Sequence, residues 1–142
     1  KGLPGKNLVR LGGIPLVGRS ARVARAVARD YPGSRVVCST DSADIGAAAR
    51  EWGAEVPFVR PAELAGDQAT SVDVVRHALD VLGGFDAVVL LQPTSPLVSV
   101  DDVRAALALF QQTGDPVASV TAADFGARLA GGVIVQQHVM WL

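Results

Sequence analysis

RVVCSTDSADIGAAAREWG (residues 35–53) holds a complete strand-to-helix unit. Residues 35–39 are a short apolar run bounded by turn residues, the pattern of a buried strand. Thr40, Asp41 and Ser42 are helix N-capping types, whose side-chain oxygens accept from free backbone N–H groups. Residues 43–52 then read as helix, and Gly53 closes it. The same order extends outward. Residues 17–29 place Val17, Ala21, Ala24, Val27 and Ala28 on one helical face, with Pro15 at the entry and Pro32-Gly33 at the end. Residues 55–59 read as a brief strand whose Pro57 favours a sheet edge or a strand start. A third helix is expected over residues 71–82, stopped by Gly83-Gly84. Residues 87–91 are the most strand-like run, residues 100–110 a fourth helix, and residues 116–120 a further strand.

Alternation of strands and helices predicts a single α/β domain with a mostly parallel sheet. In such sheets ligands sit beyond the carboxyl ends of the strands. That singles out three segments: residues 39–42, 60–71 and 92–97.

Bulk properties narrow the function. The 142 residues are 49% hydrophobic and 19% charged, enough for a sizeable core and too little charge for a disordered chain. A formal net charge of −1 gives no support to a protein that coats DNA or a membrane surface. The single cysteine, Cys38, excludes an internal disulfide and a four-cysteine zinc site. In its strand it reads as a small core residue. No apolar run is long enough to span a bilayer and no signal peptide is visible, so a cytoplasmic protein is expected. His77 and His138 form no zinc-type pair, and neither a nucleophile elbow nor a catalytic triad is visible.

The chemistry-bearing segments each carry two readings. KGLPGKN (residues 1–7) fails as a Walker loop, because Gly2 and Gly5 are too close and Asn7 follows the lysine. Its parts still suit a triphosphate: glycine lets backbone amides approach phosphate oxygens, and Lys1 and Lys6 are mobile point charges. The plain alternative is a solvated basic turn. Asp41 reads either as a cap or as a residue at the rim of a site. Arg60 can fork onto a phosphate, a carboxylate or a base edge, and Thr70 or Ser71 can cap the helix that follows. In LLQPTSPL (residues 90–97) two prolines hold Thr94-Ser95 in a fixed backbone, and Gln92 can donate and accept at a nucleobase edge. A purely structural turn could use the same prolines.

Taken in order, KGLPGKN, VVCSTDSADIGAAAREWGAEVPFVRPAELAGDQATSVDVVRHAL and LLQPTSPL resemble the acylneuraminate cytidylyltransferase (CMP-N-acetylneuraminic acid synthetase) family over residues 1–120. The resemblance implies a three-layer, Rossmann-like nucleotidyltransferase fold. It implies transfer of CMP from CTP to the anomeric hydroxyl of a sialic acid-like nine-carbon sugar acid, with Mg²⁺ and release of pyrophosphate. It implies that Lys1 and Lys6 face the triphosphate, and that Asn7, Arg60, Ser71 and Gln92 contact the nucleotide. Gln92, Pro93, Thr94 and Ser95 then line the nucleotide and sugar pocket. The family pattern also includes a first strand with an arginine-bearing loop before the lysine motif, a dimerisation excursion, and an Asp-x-Asp metal stretch. None is present in residues 1–142, so a domain incomplete at its N-terminus, near residues 122–132 and at its C-terminus is expected, with metal ligands unassigned. A homodimer is the family expectation. The alternatives are a cytidylyltransferase for pseudaminic or legionaminic sugars, and a catalytically silent nucleotide-binding module of the same fold.

Overall fold

The computed structural model describes residues 5–66 and 68–119. A 3₁₀ turn, Lys6–Leu8, leads into strands β1 (Arg10–Leu11) and β2 (Ile14–Pro15). These pair antiparallel, Arg10 opposite Pro15 and Leu11 opposite Ile14. Gly12 and Gly13 join them with φ of 61° and 79°. A two-residue hairpin whose twist matches its strands needs positive φ at both positions, which glycine adopts freely. The Gly-Gly pair was the signal for this hairpin, which the reading by strand-helix alternation passed over.

Four helices follow among the described residues: α1 (Leu16–Ala28), α2 (Ala43–Glu51), α3 (Ser71–Leu82) and α4 (Val100–Thr113). All four match the expected segments. Helix α4 runs three residues further than expected, because Gln111, Gln112 and Thr113 continue it on an exposed face until Gly114 turns left-handed at φ 71°. Helices α3 and α4 begin with reciprocal capping boxes. The Thr70 hydroxyl and N–H donate to Asp73 Oδ2 at 2.6 and 2.9 Å, and the Asp73 N–H donates back to Thr70 Oγ1 at 3.2 Å. Ser99 and Asp102 repeat the arrangement.

The hydroxyl and N–H of Thr70 hold the Asp73 carboxyl below its usual value. The stability this adds is present above the unfolded carboxylate value of about 3.9 and is lost as pH falls through the lower folded value. We therefore expect Asp73→Ala to be less stable than wild type at pH 7, with the gap narrowing towards pH 3. Denaturant midpoints at the two pH values check it; an equal gap at both would show that the charge is not the source.

The strand expectations are met less fully. Val37 forms an isolated parallel bridge with Glu55, supported by Cys38 N–H to Glu55 O and Glu55 N–H to Val36 O, both 2.8 Å. Arg35 reinforces it, its Nε donating to the Glu55 carboxylate at 3.2 Å and holding that carboxyl below its usual value. Residues 57–59, 87–91 and 116–119 join no ladder among the described residues. A continuous, mostly parallel sheet is therefore not what these residues form: one antiparallel pair and one parallel bridge stand in its place. The physical reason is spacing. Ladder bonds need a neighbouring backbone about 4.8 Å away. A cavity of about 480 Å³ is lined by Val36 and Val37 together with Val88 and Val89 of the two best strand-like segments.

Side chains in those segments nevertheless alternate with strand period. Val36, Cys38, Val89 and Leu91 pack with Val17 and Ala24 of α1, Ala49 of α2 and Val103 of α4. Their neighbours Val37, Val88 and Leu90 pack with Val75, Ala78 and Leu79 of α3. The reading of residues 35–39 as a buried strand and of residues 87–91 as strand-like thus stands for the alternation of Val36–Cys38 and Val88–Leu91, although not for pairing.

Candidate functional site

The geometry is clearest where the bridged segment ends. Thr40 is buried, and its Oγ1 accepts from the Ser42 N–H at 3.1 Å, which folds residues 40–42 into a tight turn. Ser42, not Asp41, caps α2, its Oγ accepting from the Ile45 N–H at 3.3 Å. Asp41 is thereby left to another partner. The Arg60 N–H donates to the Thr40 carbonyl at 3.0 Å, and Arg60 Nη2 donates to Asp41 Oδ1 at 3.2 Å. The Arg60 side chain is 23% exposed and that of Asp41 47%. Arg60 Nε and Ser39 Oγ are both shielded from solvent with no hydrogen-bond partner among the described residues. Two buried polar atoms without partners on adjoining loops mark a place where a ligand's polar groups can be accommodated.

Beneath this corner lies Cys38. Burial pushes its thiol up to about 11, against a smaller opposing pull from the positive charges of Arg60 and Arg50. At neutral pH it is a protonated core thiol and no nucleophile. The core reading of Cys38 holds.

The other expected site residues lie as follows. Lys6 and Asn7 sit in the Lys6–Leu8 turn, which packs against α1 and α2, with Lys6 exposed and Asn7 half-buried. Lys1 lies outside the described residues. Gln92, Pro93, Thr94 and Ser95 form a turn closed by Ser95 N–H to Gln92 O at 2.9 Å. Gln92 follows Leu91 as Ser39 follows Cys38, and Leu91 and Cys38 share one core cluster, so both loops leave the same packed region. Ser71 is the first residue of α3 and is exposed; Thr70 is the cap. The structure joins Arg60 to residues 40–41 directly. No hydrogen bond joins the side chains of Lys6, Ser71, Gln92, Thr94 or Ser95 to one another among the described residues. The 480 Å³ cavity lies away from these loops, among the carboxyl ends of α1, α3 and α4.

Sequence reasoning placed Arg60 and Asp41 on separate candidate segments and missed their pairing. Nothing local signals a contact between residues 19 apart. Chemically, this corner offers an arginine fork, hydroxyls and backbone groups. It holds no activated nucleophile, so binding and orientation are what it can supply. Among the described residues no three or more His, Cys, Asp or Glu side chains gather closely enough to hold a metal ion, and no helix is long and apolar enough to cross a membrane.

Comparison with known proteins adds a family. A family model described as cytidylyltransferase matches residues 1–127. The CMP-N,N'-diacetyllegionaminic acid synthase of Legionella pneumophila is 38% identical over 128 residues, 85% of this chain and 53% of the relative. The N-acylneuraminate cytidylyltransferase of Escherichia coli is 36% identical over 111 residues, 78% of this chain and 26% of the relative. The pseudaminic acid cytidylyltransferase of Campylobacter jejuni is 34% identical over 116 residues, 79% of this chain and 49% of the relative. The chain thus spans about half the length, or less, of these curated relatives.

Proposed function

The chain belongs to the cytidylyltransferase family, and from that premise we propose that the whole protein transfers CMP from CTP to the anomeric hydroxyl of a sialic acid-like nine-carbon sugar acid. The hydroxyl oxygen attacks the α-phosphorus and gives its proton to solvent, the bond from the α-phosphorus to the oxygen bridging to the β-phosphate breaks, and pyrophosphate leaves. The observation that carries this reading is the family match across residues 1–127, joined by relatives whose names all specify CMP or cytidylyl chemistry on such sugar acids.

In this reading the residues of these loops bind and orient. Lys1 and Lys6 neutralise the triphosphate, while Asn7, Arg60 and Ser71 hold the nucleotide. Gln92, Pro93, Thr94 and Ser95 line the pocket shared by nucleotide and sugar. What supports the assignment of Arg60 is its anchorage at the strand end with an unpartnered Nε. Catalysis by position and charge neutralisation fits a site without a nucleophile. Mg²⁺ belongs to the proposal as the ion that balances triphosphate charge. The described residues offer no cluster to hold it, so its ligands stay unassigned.

The finer fold is also our reading: a three-layer, Rossmann-like domain with a mostly parallel sheet. The two-sided alternation of residues 36–38 and 88–91 supports it, as does the parallel bridge at Val37. One more strand in the cavity lined by those segments would complete the layer. A single domain extending beyond residues 1–142, a homodimer and a cytoplasmic location complete the proposal.

The test is pyrophosphate release by the whole protein with CTP, Mg²⁺ and a panel of sialic, legionaminic and pseudaminic acids. Release with one sugar establishes the reaction and names the acceptor; no release with any sugar overturns it. Lys6→Ala is expected to lower kcat/KM for CTP by about 10- to 100-fold, the range for losing one hydrogen bond to a charged group. A change below twofold would remove Lys6 from the site.

A further inference from the structure

Asp41 has no task in the reading above. It does not cap α2, since Ser42 does. We propose that Asp41 is a positioning residue: its carboxylate clamps one corner of the Arg60 guanidinium so that the remaining N–H groups face the nucleotide. The inference rests on the nucleotide reading of this site.

The geometry has three parts. The Arg60 backbone is tied to the turn by its N–H on Thr40 O at 3.0 Å. The far end of the side chain is tied to the same turn by Nη2 on Asp41 Oδ1 at 3.2 Å. Between those anchors, Nε is shielded from solvent and unpartnered among the described residues, and so is Ser39 Oγ on the same turn. A free arginine side chain samples many rotamers, and ordering it opposes binding. A guanidinium is planar and rigid, so fixing one corner fixes the direction of every other donor. The contact to Asp41 uses only one of its five N–H groups, which leaves the other terminal N–H groups for a ligand oxygen. A second carboxylate on the fork would close it; Asp41 is the one acidic partner of Arg60 among the described residues. The clamp therefore orders Arg60 before the nucleotide arrives and leaves its acceptor-seeking edge free.

The experiment uses the whole protein and two readouts. The first needs no ligand: solvent exchange of the Arg60 Nε–H proton, followed by NMR on nitrogen-15-labelled protein. Wild type is expected to show a protected signal, and Asp41→Asn to exchange about fivefold faster, the upper range for a partly exposed ion pair. The second is kinetic. Asp41→Asn is expected to raise KM for CTP about fivefold with kcat within twofold, because ordering for binding is what is lost. In an Arg60→Ala background the same substitution should leave kcat/KM unchanged, since its effect passes through Arg60. Unaltered Nε–H exchange in Asp41→Asn overturns the clamp. So does a KM rise of equal size in both backgrounds, which would give Asp41 a task of its own. Faster Nε–H exchange in Asp41→Asn, with a wild type that turns over no CTP, sinks the nucleotide reading and leaves the clamp standing.

Discussion

Arg60→Ala is expected to lower kcat/KM for CTP about 100-fold while leaving the protein folded. The magnitude follows from the bonds at stake. Hydrogen bonds to charged groups contribute about 1.5–3 kcal/mol each, and one or two such bonds to the nucleotide amount to a factor near 100. The small stability effect follows from exposure. The Arg60–Asp41 pair is 23% and 47% exposed, and partly exposed pairs contribute about 1 kcal/mol or less. The Thr40 carbonyl keeps its backbone donor in the variant, so the loop stays tied to the turn. Arg60→Lys separates charge from shape. Lysine keeps the positive charge and loses the planar fork, so it should recover only part of the activity. Steady-state pyrophosphate release and a thermal melt on each variant check both halves. Activity within threefold of wild type in Arg60→Ala would take Arg60 out of the nucleotide site.

Gly18→Val is expected to damage the fold strongly, costing on the order of 3 kcal/mol. Gly18 lies inside α1, where glycine is unfavourable by about 1 kcal/mol against alanine. Its presence has a packing reason. A Cβ at this position would lie 2.7 Å from Trp52 Cδ1 and 2.8 Å from both Cγ and Nε1. The indole cannot step aside freely. Trp52 caps the end of α2, its N–H bonded to Ala49 O at 3.2 Å, and Arg22 lies over the ring 5.9 Å from its centre. Both α1 and α2 feed one core cluster, so moving the ring disturbs the contact between them. Overpacking of this kind costs about 1–3 kcal/mol, and valine adds a branched Cβ to the clash. Gly18→Ala should be milder, because helix propensity offsets part of the strain. The melting temperature of Gly18→Val should fall by roughly 10 °C, at 2–4 °C per kcal/mol for a domain of this size. A cycle with Trp52→Ala isolates the cause: in that background Gly18→Ala should turn stabilising. A stabilising Gly18→Ala in the wild-type background would mean that the ring swings away at no cost.

The helices were legible because their determinants are local. Apolar residues at three- and four-residue spacing set the buried face of α1 and α3, and Thr70 and Ser99 each sit three residues ahead of the aspartate that completes the box. The hairpin at Gly12-Gly13 is equally local, set by two adjacent glycines at positive φ. The candidate segments after residues 38, 59 and 91 were legible from pattern too.

Sequence alone therefore determined that this chain is built of amphipathic helices alternating with short apolar runs, and that its ordered motifs are those of the cytidylyltransferase family. Tertiary structure decided what meets what. Residues 87–91 have strand-like side chains, yet pairing depends on a backbone lying alongside, and none does among the described residues. Asp41 read either as a cap or as a rim residue; Ser42 takes the cap, and Asp41 meets Arg60 from 19 residues away. Gly18 lies inside α1 for a packing reason, because Trp52 fills the space a Cβ would need. Neighbours three or four residues apart interact through fixed helical geometry, which the order of residues states outright. Partners brought together by chain return depend on every turn between them, and that information resides in the packed whole.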